Sequence, residues 1–249
     1  MNIIINGANG RMGHMLLDMA KEDGDSIVAR VDIAYGDDPD LFGKYKYIHY
    51  VPESVKADCV IDFSNHKAAP ELMNYCVKHN IPVLIASTGH DEKELELIHE
   101  ASQKIPVFMS PNMSVGVALL ADLAERITRI FGDCDIEMIE AHHNQKLDVP
   151  SGTALMLAKR IQEAKPDSSF NVGRHENGKR PANEVGIHSL RYGTEVGTHE
   201  IIFSNGLETI TLKHDAKNRA LFAKGALSAV RWLVKQSAGF YDMKDFLRG

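Results

Sequence analysis

Apolar residues fall into two rhythms along this chain. In the first, short dense runs are separated by longer polar stretches. Ile3-Ile4-Ile5, Ile27 to Val31, Val60 to Phe63, Pro82 to Ala86 and Val107 to Met109 each read as a strand. After the first of them, Met12, Met15, Leu16, Met19 and Ala20 recur at helical spacing. Gly89 to Lys104 is a second amphipathic helix. Short apolar strands alternating with helices predict a parallel sheet covered on both faces.

The second rhythm begins near Asn112. Ser114 to Ile130 reads as one long helix and Ile136 to Ala141 as an alternating strand. A helix starts at Ser151-Gly152-Thr153 and runs on through Ala164. Asn171 to Asn183 is polar and basic with Gly173, Gly178 and Pro181, and reads as a loop. Strands follow at Val185 to Leu190, Thr198 to Ser204 and Leu207 to His214, the last two flanking Asn205-Gly206, a two-residue hairpin signal. Arg219 to Val234 is helical again. The expected fold class is α/β: an N-terminal Rossmann-like dinucleotide-binding domain over 1–113 and 216–249, plus a C-terminal α+β domain over 114–215 with a mixed or antiparallel sheet.

Composition narrows the function classes. The 249 residues are 44% hydrophobic and 25% charged, ordinary for a soluble globular protein. The net charge of −6 argues against nucleic acid as a partner, since phosphate binding calls for a basic stripe. Cys59, Cys76 and Cys134 are an odd number at wide spacing, neither a disulfide framework nor a zinc motif. Met1 to Gly10 lacks a basic leader region, and no run is long enough to span a membrane, so a cytoplasmic protein is expected.

The loop NGANGRMG places Gly7, Gly10 and Gly13 between a strand and a helix. The usual dinucleotide fingerprint has a glycine where Asn9 stands, but the context fits: glycines turn the chain tightly, and the helix N-terminus offers N–H donors to a pyrophosphate. A tight turn without a ligand is the plain alternative. Asp32 closes the second strand, where a carboxylate accepts both ribose hydroxyls and repels a 2′-phosphate. Ile33 follows it rather than an arginine, so NADH is expected to serve at least as well as NADPH, although Arg11 in the loop is a cation within reach of a 2′-phosphate.

A second stretch, EAHHNQKLDVPSGT from Glu140 to Thr153, gathers titratable groups before a small-residue turn. His142 and His143 end a strand and Lys146 follows in a loop, and these residue types exchange protons near neutral pH or pair with carboxylates. Helix-initial N–H groups at Gly152, with the Thr153 hydroxyl, make a seat for a carboxylate. The bland readings are surface histidines, a helix cap at Ser151 or Thr153, and a Lys146–Asp148 pair. Neighbouring histidines on a strand point to opposite faces, so no metal site is expected.

With both motifs in view, the chain resembles the dihydrodipicolinate reductase family. NGANGRMG, ASTGHDE (Ala86 to Glu92), SPNMSVGV (Ser110 to Val117) and above all EAHHNQKLDVPSGTA carry the resemblance, which runs nearly end to end. It implies NAD(P)H-dependent reduction of 4-hydroxy-tetrahydrodipicolinate in lysine and diaminopimelate biosynthesis. It also implies His142 as proton donor and acceptor, Lys146 as second proton donor, and substrate contacts at His143, Gly152 and Thr153. Cofactor contacts are implied at Gly7, Ala8, Asn9, Gly10, Arg11, Met12, Asp32, Ala86, Ser87, Thr88, Ser110, Pro111, Asn112 and Met113. A homotetramer built through the second domain's sheet is implied as well. A semialdehyde or homoserine dehydrogenase, a non-catalytic NAD(H) sensor and a metal-dependent hydrolase remain the rival classes.

Overall fold

The computed structural model describes residues 1–34 and 44–249. It divides into two compact units, Met1–Val115 with Ala220–Gly249, and Gly116–Arg219.

The first unit is built on a parallel sheet. Its strands are β1 (Asn2–Asn6), β2 (Ser26–Val31), β3 (Cys59–Asp62), β4 (Val83–Ile85), β5 (Pro106–Met109) and β11 (Gly239–Tyr241), in the order β11-β5-β4-β3-β1-β2 among the described residues. Every pairing in it is parallel. The helices are α1 (Arg11–Glu22), α2 (Ala69–His79), α3 (Glu92–Ser102), α6 (Ala220–Leu233) and α7 (Met243–Arg248). Ile3, Ile4, Ile5, Val60, Ile61, Val83 and Leu84 are fully buried, as strands between two helical layers must be. On one face Val60, Val83 and Val107 pack with Leu72, Cys76 and Ile98 of α2 and α3. Arg231 of α6 donates to Asp23 at 2.8 Å and Asp25 at 2.6 Å, tying that late helix to the loop after α1. α3 opens on a capping box between Asp91 and Glu94.

The second unit carries α4 (Val115–Phe131), β6 (Asp135–His142), α5 (Gly152–Ala164), β7 (Ser169–Val172), β8 (Glu184–Arg191), β9 (Gly197–Ser204) and β10 (Thr209–Ala216). Its strand order is β10-β9-β6-β8-β7 among the described residues, so β6 is central. β6 runs parallel to β8 and antiparallel to β9, which makes the sheet mixed. Ile136, Met138, Val185, Ile187, Ile201 and Phe203 pack beneath Leu120, Ala124, Leu157 and Ile161 of α4 and α5.

The elements read from the sequence are present, with boundary shifts of up to three residues and two local corrections. The polar stretch from Asn171 does not begin as a loop: Asn171 and Val172 end the edge strand β7, which pairs with β8. That strand is short and no deeper than half-buried, so it leaves no hydrophobic alternation to read. The β9–β10 connection is a four-residue loop rather than a two-residue turn, because Ser204 pairs with Thr209. Asn205 closes it with its side chain, accepting from the N–H groups of Leu207 and Glu208 at 3.0 Å each. β11 and α7, both short, were not placed in advance, and neither was α2 between β3 and β4.

Candidate functional site

In the first unit the strand order reverses at β1, which has β2 on one side and β3 on the other. The carboxyl ends of strands at such a switch point are where open α/β sheets bind ligands. A cavity of about 570 Å³ lies there. It is lined by Gly7 and Gly10 after β1, Asp32 and Ile33 after β2, and Ser64 and Asn65 after β3.

The glycines are required by the backbone. Gly7 sits at φ +84°, and a Cβ there would lie 2.7 Å from the Phe63 carbonyl oxygen. A Cβ at Gly13 would lie 2.4 Å from the carbonyl oxygens of both Gly7 and Ala8. The loop and the first turn of α1 are thus packed as closely as main chain allows. Asp32 stabilises the arrangement: its Oδ2 accepts from the Asn9 N–H and its Oδ1 from the Ala34 N–H, each at 2.9 Å. Gly10, in extended conformation, caps α1, leaving helix-initial N–H groups at Arg11 and Met12. A small-residue loop at a helix start, a carboxylate at the next strand end and a cavity of this size fit a dinucleotide.

The other expected cofactor contacts lie at the same sheet edge. Ala86, Ser87 and Thr88 directly follow β4, and Ser110, Pro111, Asn112 and Met113 follow β5. Ser110 Oγ donates to the Asn112 carbonyl at 2.8 Å, and the Asn112 side chain accepts from the Ser114 N–H at 2.9 Å, so this turn is held by its own side chains. Ser87 leads to a residue that the sequence reading passed over. Its hydroxyl donates to Asp62 at 2.6 Å, and Asn6 donates to the other oxygen at 2.7 Å. Asp62 therefore joins the ends of β1, β3 and β4. Burial pushes its carboxyl above the usual range, against the hydrogen bonds from Ser64, Ser87 and Asn6. Lys46 and Lys67 also line the cavity that holds Asp32, cations that the residue beside Asp32 in sequence gave no hint of.

The second unit gathers the titratable stretch. Along β6 the alternation that buries Ile136 and Met138 also buries Glu140 and His142. Residues two apart on a strand share a face, so the imidazole lies over the carboxylate. His142 Nδ1 is 2.5 Å from Glu140 Oε2. Glu140 Oε1 accepts from Arg191 Nη2 at 2.7 Å and from the Ser151 N–H at 3.2 Å. Burial alone would raise this carboxyl, but hydrogen bonds from His142 and Arg191 outweigh it and hold it far below the usual range. Opposite Glu140 in register stands His199. Its ring meets that of His142 edge-on at 5.2 Å, and its Nε2 is 3.2 Å from Ser151 Oγ. Burial, aided by His142, pushes His199 down to about 4, so it is neutral at pH 7.

Around this core lie the remaining expected residues. His143, on the opposite side of the chain from His142, is half-buried and accepts from Arg219 at 3.4 Å. Arg219 carried no sequence signal, being separated from His143 by 76 positions. Lys146 pairs with Asp148 at 2.8 Å, the plain alternative weighed for it. That hydrogen bond chiefly holds the Asp148 carboxyl below the usual range, and the Gly152 amide adds to it. Asp148 thus places a carboxylate beside Lys146 and the first turn of α5. Ser151 is the cap of α5, accepting from Ala154 N–H at 3.1 Å, with Gly152 exposed and Thr153 half-buried just beyond it.

Glu140, His142 and His199 bring three ligand-type atoms within 4.8 Å of one another. Both Glu140 oxygens already accept from protein donors, so the trio reads as a hydrogen-bonded cluster and not as a cation cage.

The comparisons with known proteins agree in both halves of the chain. Residues 1–113 match the family model described as dihydrodipicolinate reductase, N-terminus, and residues 116–247 its C-terminus. A 4-hydroxy-tetrahydrodipicolinate reductase of Caldanaerobacter subterraneus subsp. tengcongensis is 43% identical, covering 99% of this chain and 98% of its own. Another from Clostridium novyi is 41% identical with the same coverage. Among solved structures, a dipicolinate-bound dihydrodipicolinate reductase from Paenisporosarcina sp. TG-14 superposes with a TM-score of 0.82 over 97% of both chains, at 24% identity. That last likeness speaks to the fold.

Proposed function

The chain belongs to the dihydrodipicolinate reductase family, and on that premise we propose how its two units perform NAD(P)H-dependent reduction of 4-hydroxy-tetrahydrodipicolinate to tetrahydrodipicolinate and water, in lysine and diaminopimelate biosynthesis. The observation that carries the site assignment is the cluster at the end of β6 and the start of α5. There a buried imidazole, a lysine and a helix N-terminus serve one short segment.

The loop Gly7 to Met12, with Asp32, holds the dinucleotide by backbone donors and by acceptance from ribose hydroxyls; the turns at Ala86 to Thr88 and Ser110 to Met113 frame its reactive end. When bound, the reduced nicotinamide supplies the hydride. The chain's own part is to seat the diacid and manage protons. One substrate carboxylate takes the place of Asp148 beside Lys146, the Gly152 amide and the Thr153 hydroxyl. His143, with Arg219 against it, faces the other end of the ring. Each turnover takes up one proton and releases the 4-hydroxyl as water. His142 and Lys146 are the groups that deliver protons, with the Glu140 carboxylate countering the charge of a protonated His142.

NADH serves at least as well as NADPH in this reading. Asp32 repels a 2′-phosphate and Ile33 gives no cation beside it, while Lys46 and Lys67 keep NADPH usable. Assembly is proposed as a homotetramer through the second unit's sheet, whose β9 keeps Thr198, Glu200, Ile202 and Ser204 only half-buried on the face away from its core. Among the described residues no helix is long and apolar enough to cross a membrane, and a cytoplasmic location is proposed. The test is oxidation of NADH and of NADPH with freshly generated substrate. Turnover with both, and a kcat/KM for NADH equal to or above that for NADPH, is expected. No turnover overturns the function, and a hundredfold preference for NADPH overturns the cofactor reading alone.

A further inference from the structure

The Glu140 carboxyl is fully buried, is held far below the usual carboxylate range, and accepts from donors on three elements. They are His142 Nδ1 on its own strand, Arg191 on β8 and the Ser151 amide at the start of α5. An ionised carboxylate can only accept. Nδ1 of His142, at 2.5 Å, must therefore carry a proton whatever the charge on the ring. The remaining ring nitrogen, Nε2, is then the atom that gains and loses a proton. Gly197 stands against that atom: a Cβ there would lie 3.0 Å from it, and glycine puts none there. Nearby charged and titratable groups do not replace Glu140. Arg191 is committed to Glu140 and to the Asp148 carbonyl, Lys146 to Asp148, and His199 is neutral.

We propose that Glu140 is a positioning residue for the reaction: gripped by Arg191 and the Ser151 amide, it fixes His142 in the Nδ1–H form and presents Nε2 for proton exchange. The proposal rests on the assignment of His142 as a proton-transfer group. Because the same carboxylate accepts from the cap residue of α5, it also sets the distance from the imidazole to the helix turn that seats a substrate carboxylate. A second-layer carboxylate that orients a histidine in this way commonly matters as much as the residue it supports.

Glu140→Gln separates orientation from mere packing. The amide is isosteric, and its oxygen still accepts from Arg191 and Ser151. Its NH₂ then faces His142 Nδ1, which must turn acceptor, so the proton moves to Nε2 in the neutral ring. The expected result is a kcat lowered by about thirtyfold or more with the substrate KM within threefold of wild type. Nitrogen-15 spectra of the labelled enzyme should show His142 protonated at Nδ1 in wild type and at Nε2 in the variant. Glu140→Asp keeps the charge but shortens the reach, and should recover more of kcat than the isosteric amide does; a structural role alone predicts the reverse order. His142→Asn is the control. If Glu140→Gln stays within twofold of wild type while His142→Asn loses a hundredfold, the positioning role is overturned and the proton-transfer assignment stands. If His142→Asn itself turns over normally, the assignment fails and the positioning role with it. The spectra judge the tautomer independently of turnover.

Discussion

In the proposed function the two sheets of this protein serve ligands by opposite means. The parallel sheet buries apolar strands on both faces and ends them in a loop where glycine leaves side chains out. What it offers a dinucleotide is largely backbone: N–H groups at a helix start, packed to the limit at Gly7 and Gly13. The mixed sheet does the reverse. Its central strand carries Glu140 and His142 on the face that also builds its core, and pairs them across the sheet with His199 and Arg191. It works through buried, charged side chains, which hydrogen-bonded partners of opposite charge make tolerable. The first region should therefore break when atoms are added, and the second when charges are removed.

The largest effect is expected from removing a charge. Lys146→Ala should lower kcat by roughly 10²–10⁴, the usual range for a positioned acid, while NADH binding and melting temperature stay near wild type. A kcat loss below tenfold removes Lys146 from proton transfer and leaves it as a partner of Asp148. Adding a methyl group is the complementary break. Gly13→Ala forces a carbon against two carbonyl oxygens, and overpacking of this kind costs about 1–3 kcal/mol. The expected outcome is a KM for NADH raised about tenfold or more, a lower melting temperature, and a substrate KM within threefold. An unchanged NADH KM would mean that the loop has slack the geometry denies.

The same contrast explains what could be read in advance. The parallel strands were legible because burial on both faces leaves dense apolar runs such as Ile3-Ile4-Ile5 and Val60-Ile61. The glycine loop, Asp32 and the His142–Thr153 segment were legible as motifs. Strand order in the second sheet was not, since nothing local tells β6 to lie between β8 and β9. Partners that arrive through that order were invisible for the same reason: His199 and Arg191 reach Glu140 from 59 and 51 positions away. Glu140 itself was within reach. The alternation that sends Ile136 and Met138 into the core sends Glu140 and His142 after them, and a carboxylate on a core face must have a cation or donors waiting. Asp62 was hidden differently, inside an apolar strand where its neighbours drew the eye.

The central claim of the proposed function is that a carboxylate of the diacid is held at the N-terminus of α5. Calorimetric titration of pyridine-2,6-dicarboxylate into NADH-loaded wild type and Thr153→Val tests it most directly. A hydrogen bond to a charged group is worth about 1.5–3 kcal/mol, so the variant should bind the diacid about tenfold or more weakly with NADH affinity unchanged. Equal diacid affinity in the two proteins would contradict the account, and leave Thr153 as a residue of the helix start and nothing more.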